Sequence, residues 1–486
     1  MAISCPIIRP SDPSFMDAAW SRVFNKRRDA TDAARKPHAV AKPRSAAELV
    51  EAVDLAVSEG ARISVRSGGH SWAAWSVRSK AVILDLADFN EIDYDEKTHV
   101  VKVTSRVTGR MLNGFLKPKG RLFPGGHCPD VGVGGFLLQG GMGWVCKSWG
   151  WACEHVAAVD VITADGRQLY CDEKENSDLF FAARGAGPGF PAVVVRFHLK
   201  TLPLLQMYKN TYIYPLSEYK KVLQWTIEQA RAPNVDGDLE AVCLSTSPPG
   251  FDSHICLSAF TVFKKTEEEA QAVLGAIHKT RPDGPMVDKC CELSSLDSEY
   301  DDQGAANPEN HRYSSENAYI KNDADVPAVL EKAFTTMPHK KAFALYYAMA
   351  PTSRRWDPAL PGPDKGQPGL ARWPDMALSM QSDHYFALYT VWENEDLDEK
   401  CKGWNKMVMD EIKDHSVGSY LGDSDFRYRT TKFWDDGQAK RLKEVREKWD
   451  PEGVFAGYLE LEDEVAAEAT NGRRRDVGKV ILNQHE

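Results

Sequence analysis

The sequence predicts an α+β protein built as two large units. The N-terminal unit mixes helices and strands, and the second is an antiparallel sheet with helices on one face. Three observations carry this reading: the first two hundred residues alternate helix and strand signals, glycine is concentrated between 120 and 150, and near 206 the texture changes to longer strands and helices. At 486 residues the chain is longer than a typical domain of about 100–200 residues. Its 43% hydrophobic and 27% charged residues are ordinary for a globular protein with a large core.

The elements follow in order. Ser45-Ala-Ala-Glu48 has the form of a capping box, and Leu49, Val50, Val53, Ala56 and Val57 recur at helical spacing until Gly60. Residues 63–66 form a short strand opening into Ser67-Gly-Gly-His70, and 81–86 and 100–103 are further strands. Glycine then fills 10 of 31 positions from 120 to 150, a density that signals positive φ or backbone pressed against a ligand. Strands at 156–163 and 193–199 follow, with the turn Ala164-Asp-Gly166 between them. In the second unit, 212–214, 241–245, 255–263, 342–350 and 385–392 read as strands. Residues 217–229, 267–279, 325–336 and 397–414 read as helices. Segments 296–322 and 352–374, rich in Asp, Asn, Pro and Gly, are expected to be long surface loops, and 463–486 a peripheral tail.

Composition excludes several classes. With 60 basic and 70 acidic residues the net charge is −10, which argues against a nucleic-acid or anionic-membrane surface. The longest apolar runs fall short of the ~18 residues a membrane helix needs. The first residues lack the basic and apolar regions of a secretory signal, so a cytoplasmic location is expected. The ten cysteines are scattered without a Cys-x-x-Cys pair, and no His-Glu-x-x-His occurs, so no metal site is expected. A phosphate-binding Gly-x-x-x-x-Gly-Lys motif and a complete Gly-x-Gly-x-x-Gly are also missing. Gly69-His-Ser-Trp-Ala73 nearly matches a hydrolase nucleophile elbow at Ser71. However, too few strands precede it, and no His-Gly-Gly-Gly loop lies upstream.

Two segments point elsewhere. Val65-Arg-Ser-Gly-Gly-His-Ser-Trp72 is a strand opening into consecutive backbone N–H groups, suited to a pyrophosphate. Pro124-Gly-Gly-His-Cys-Pro-Asp-Val-Gly-Val-Gly-Gly135, continuing to Gly140-Gly-Met-Gly143, offers a glycine-lined wall for a flat ring. Together they resemble the flavin-binding domain of the vanillyl-alcohol-oxidase superfamily (the PCMH type), specifically the berberine-bridge-enzyme-like oxidases. The resemblance extends to Ser177-Asp-Leu-Phe-Phe-Ala-Ala-Arg-Gly185, Phe433-Trp434 and Lys448-Trp-Asp-Pro-Glu-Gly-Val-Phe455, and so spans about 40–460. It implies FAD tethered twice, through His70 to the 8α methyl and through Cys128 to C6. It further implies a cofactor site of Arg66, Ser67, Gly68, Gly69, Ser71, Trp72, Val131, Gly132, Gly134, Gly135, Gly140 and Gly141. At the position of Val131 the family controls oxygen access. The chain departs from the family at Ala186-Gly-Pro-Gly-Phe-Pro191, at Gly453 in place of Asn, and at Tyr420-Leu-Gly422.

The resemblance also implies domain limits: 1–205 and 419–462 for the FAD domain and 206–418 for the substrate domain. A base is expected on the substrate-domain sheet. Alternation puts Tyr385, Ala387 and Tyr389 on one face of their strand. In 342–350, the face of Ala344, Tyr346 and Ala348 has room beside it and reads as pocket wall. Tyr385, Tyr389, Tyr346 and Tyr420 are therefore candidates for acid/base or substrate-positioning roles, with His127 and Asp130 behind them. A tyrosine base requires a lowered pKa. The expected activity is hydride transfer from an alcohol, phenolic or alkaloid-like small molecule to FAD, reoxidised by O2 with release of hydrogen peroxide. An oligosaccharide oxidase, an oxidative cyclase or a dehydrogenase would use the same scaffold.

Overall fold

A computed structural model describes residues 3–27, 35–232, 236–349, 374–425 and 431–458, together with the backbone of the strands Trp356–Pro361 and Pro368–Leu370. Three larger sheets carry the fold. In the first, Ala39–Ala41, Ala81–Asp85 and Arg62–Arg66 run parallel, and Ile7–Ile8 adds an antiparallel edge. Helix Ala46–Ser58 covers this sheet, burying Leu49, Val53 and Ala56 against Ile63, Val82 and Leu84. Its capping is a half box: Ser45 Oγ accepts the Glu48 N–H at 3.2 Å, but the Glu48 carboxylate reaches back to the N–H of Arg44 (2.8 Å).

The second sheet is antiparallel, in the order Ile92–Asp95, Val100–Thr104, Val193–Lys200, Val156–Ile162, Gln168–Cys171. Its core takes in Trp434, Leu442, Val445 and Tyr458 from the C-terminal segment. Phe455 also bridges to Ile63 of the first sheet.

The third sheet has eight antiparallel strands in the order Val287–Ser294, Gln206–Pro215, Ile255–Lys264, Leu239–Thr246, Phe343–Ala348, His384–Trp392, Arg312–Ile320, Ser416–Gly418. Helices Tyr219–Arg231, Glu267–Lys279 and Asp398–Ile412 cover one face, joined by Val326–Val329 and Glu331–Thr335 where one helix was expected. The opposite face looks toward the first two sheets through Tyr385, Tyr389 and Tyr347.

Two expectations change. Residues 296–322 are a helix, Leu296–Ala306, and a buried strand, Arg312–Ile320. That strand is polar because its side chains bond to neighbouring segments in place of water: Ser315 Oγ donates to Asp423 O at 2.9 Å, and Asn405 Nδ2 donates to Ser314 Oγ at 2.9 Å. Within 352–374, Trp356–Pro361 pairs with Pro368–Leu370, while the rest of that expected loop and the tail from 463 lie outside the described residues.

Asn317 clasps the C-terminal segment to this sheet. Its side-chain oxygen accepts the Tyr420 N–H at 2.7 Å, and its Nδ2 donates to Tyr420 O at 2.8 Å. Asn317→Ala leaves both groups of a buried backbone unpaired, and a loss of about 2–3 kcal/mol is expected in denaturant unfolding.

Candidate active site

The two glycine-bearing segments meet back to back. A Cβ on Gly68 would lie 2.5 Å from Gly132 N, and one on Gly132 would lie 2.7 Å from Gly68 N. Their missing side chains let residues 67–70 and 131–135 touch through backbone. One result is that His70 and Cys128 line a single cavity of about 710 Å3, which runs between these loops and the helix-free face of the third sheet.

Most of the expected residues line it: Ser67, Gly68, Gly69, His70, Ser71 and Trp72 from the first segment, and Cys128, Val131, Gly132, Gly134 and Gly135 from the second. Tyr385, Tyr389 and Tyr420 line it from the sheet side. Arg66 borders the cavity, but its guanidinium turns away. It donates to Ala18 O and Ala19 O at 2.5 Å and to Asp85 at 2.9 Å. Arg22 also binds Asp85 and donates to Ser67 O at 2.7 Å. Arg66 is therefore a brace for the loop and does not present its charge to a ligand.

Three assignments need correction. Tyr346 lies in the helix-covered core with Ala344 and Ala348, so the face that reads as roomy is filled by helices. Its alternate neighbours Phe343, Leu345 and Tyr347 line the cavity in its place. Gly140 and Gly141 face protein: a Cβ would meet Leu378 at 3.0 Å and Phe136 at 2.8 Å, respectively. Both have positive φ (109° and 79°), which the turn requires.

The chemistry gathers around two carboxylates that the sequence reading missed. Asp423 accepts the Tyr385 hydroxyl at 2.6 Å, with Tyr389 and Trp72 close enough to favour its charged form. Burial raises its carboxyl above the ordinary aspartate range against these neighbours. Burial and the nearby Asp423 charge push both phenols well above their usual pKa, opposite to the lowered value expected of a tyrosine base. Glu240, 4% exposed, holds the second cluster. It accepts the Tyr347 hydroxyl at 2.7 Å and the Val145 N–H at 2.8 Å, and its other oxygen meets His127 Nε2 at 3.0 Å. Tyr420 accepts the Met142 N–H at 3.4 Å.

Burial lowers the His70 imidazole to about 4, so it is neutral near pH 7. Burial, with Asp423 and Asp130 nearby, pushes the Cys128 thiol up to about 12. Ser71 Oγ accepts the Trp75 N–H at 3.3 Å, the role of a turn serine. Gly453 sits at φ 62°, a left-handed position that Asn also tolerates, so the departure there preserves the turn.

These residues fit a flavin cofactor. The backbone of 67–71 and the glycines of 132–135 would hold it, and at Gly135 a Cβ would meet no atom within 4 Å, leaving that wall open. The comparisons agree. A family model described as "FAD binding domain" matches residues 37–172. The FAD-linked oxidoreductase ptmO of Penicillium ochrochloron is 36% identical over 436 residues, covering 90% of this chain and 92% of that protein. The (R)-6-hydroxynicotine oxidase of Paenarthrobacter nicotinovorans is 31% identical over 209 residues, 42% of this chain and 43% of that one. The solved structure of Physcomitrella patens BBE-like 1 superposes with a TM-score of 0.77 at 17% identity, covering 94% of this chain and 96% of that chain.

The fold is thus the PCMH-type FAD-binding fold with a large antiparallel sheet beside it, α+β overall. The chain belongs to the FAD-linked oxidoreductases and is an FAD-dependent oxidoreductase, and its fold is that of the berberine-bridge-enzyme-like structures. Membership decides against the serine-hydrolase alternative.

The displaced Tyr346 yields a pH prediction. Its hydroxyl bonds His384 Nδ1 at 2.7 Å, and burial lowers His384 to about 4 from 6.5. Between those values the unfolded chain binds a proton that the folded chain refuses, so stability is lost as pH falls from 6.5 toward 4. About 2 kcal/mol should disappear between pH 6.5 and 5. His384→Gln should flatten that part of the melting-temperature profile.

Proposed function

We propose that the enzyme is an oxidase that takes hydride from an alcohol, phenolic or alkaloid-like small molecule while Asp423 receives the substrate proton through Tyr385 or Tyr389. The hydrogen bond from Tyr385 to a half-buried carboxylate on the cavity wall carries this reading. A free phenolate is disfavoured there, because burial and the Asp423 charge both oppose it. The tyrosine therefore acts as a conduit: as its hydroxyl takes the substrate proton, it gives its own to Asp423.

When bound, FAD supplies the hydride acceptor and returns the electrons to dioxygen as hydrogen peroxide. His70 would tether it at the 8α methyl and Cys128 at C6. A neutral imidazole keeps the lone pair that such a bond uses, whereas the raised thiol makes the Cys128 link the harder of the two. Val131, at the cavity wall, would control the approach of dioxygen.

An aliphatic stretch of the wall bears on the substrate class, beside polar residues such as Lys209, Thr211 and Thr261. Beside the tyrosines, Val242, Leu244, Leu257, Ala259 and Leu345 line the cavity. Hydroxyls of an oligosaccharide laid against this aliphatic stretch would lack partners, at a cost of about 1–3 kcal/mol each. An apolar ring skeleton loses nothing there, which favours phenolic or alkaloid-like compounds over sugars.

Asp423→Asn keeps the shape but cannot take the proton. With a turned-over substrate of this class, flavin reduction in the absence of oxygen should slow by about 10²–10⁴-fold. Tyr385→Phe should slow it less if Tyr389 shares the relay. Reduction at the parent rate in Asp423→Asn would overturn the assignment.

A further inference from the structure

We propose that Phe24 is a positioning residue for His70, holding the imidazole plane in the orientation from which it bonds to the flavin. The inference rests on the tether reading above and goes beyond it, since Phe24 lies outside both flavin motifs.

The Phe24 ring lies parallel to the imidazole, with centroids 4.7 Å apart and an interplanar angle of 18°. The phenyl ring is itself fixed on other sides by Tyr313 at 5.2 Å and Trp72 at 6.0 Å. Its backbone is fixed too, because Phe24 N donates to Gly69 O at 3.0 Å, immediately before His70. Asn25 completes the clasp. Its Nδ2 donates to Trp72 O at 2.7 Å and to Tyr313 O at 3.1 Å, while its Oδ1 accepts the Tyr313 N–H at 2.9 Å. Residues 24 and 25 thus bind both sides of the His70 turn and anchor it to the Arg312–Ile320 strand of the third sheet.

The physical need is specific. Rotation about the Cβ–Cγ bond of histidine has broad minima, so burial alone leaves the ring plane loosely set. A parallel ring on one face removes that freedom and leaves the nitrogen edge free to react. In tethering, an imidazole nitrogen bonds to the 8α carbon as one methyl C–H and the imidazole N–H are lost. The two protons and two electrons leave with dioxygen as hydrogen peroxide. Bond formation of this kind is steeply sensitive to orientation.

The test uses Cys128→Ala, in which His70 is the remaining tether, and reads acid-stable flavin on the His70 peptide by mass spectrometry. Cys128→Ala should carry it. Adding Phe24→Leu or Phe24→Met should lower the His70-linked fraction at least tenfold, with yellow flavin released into the acid supernatant showing that the folded protein still binds FAD. Phe24→Tyr and Phe24→Trp should restore the link. If the leucine and methionine variants fold poorly with Cys128 replaced, the same peptide is read with Cys128 intact. An unchanged His70-linked fraction in the leucine and methionine variants overturns the role of Phe24 alone. Flavin-free His70 in both parent and Cys128→Ala overturns the tether reading and this proposal with it.

Discussion

The site depends on one backbone contact, Gly68 against Gly132. Neither position has space for a Cβ, because each would press into the other's peptide nitrogen. This contact brings a segment near residue 70 and another near residue 128 to one cavity. Arg66 and Arg22, both bound to Asp85, brace the first segment from behind. The second continues into the turn at Gly140 and Gly141, which packs against Leu378 and Phe136. Glycine concentration in this chain therefore has two causes. Some glycines admit backbone to backbone, and others, such as Gly135, leave wall free for a ligand.

The third sheet supplies the other half of the site through its register. Tyr385 pairs with Tyr347, Tyr347 with Val242, and Val242 with Ala259, so one row crosses from phenols to aliphatic side chains. The phenols each meet a carboxylate from elsewhere, Asp423 after the last strand and Glu240 within the sheet. Burial raises the Asp423 carboxyl while the Tyr385 hydroxyl donates to it. A group so poised can accept a proton when substrate excludes the remaining water, which a solvated aspartate does less well.

Much of this was legible in the sequence. The strand of Tyr385 and Tyr389 alternates cleanly, and the paired motifs fix the two loops. The face of 343–348 was not legible, because alternation defines two faces without saying which one the helices cover. Alanines there read as space, yet the space belongs to the helix layer. The strand Arg312–Ile320 was hidden by Ser314, Ser315, Glu316 and Asn317, polar residues whose partners lie far along the chain. Asp423, in Gly-Asp-Ser-Asp425, sits in a composition typical of turns, which gives no sign of its role. Glu240 did carry a signal, a lone acid in the otherwise apolar Leu239-Glu-Ala-Val-Cys-Leu244 strand.

The intact mass of the purified protein, followed by its tryptic map, tests the central claim most directly. A doubly tethered flavin makes the chain heavier by one FAD, with the His70 and Cys128 peptides joined through that single flavin. A well-folded, colourless protein with the mass of the bare chain and both peptides unmodified would contradict it.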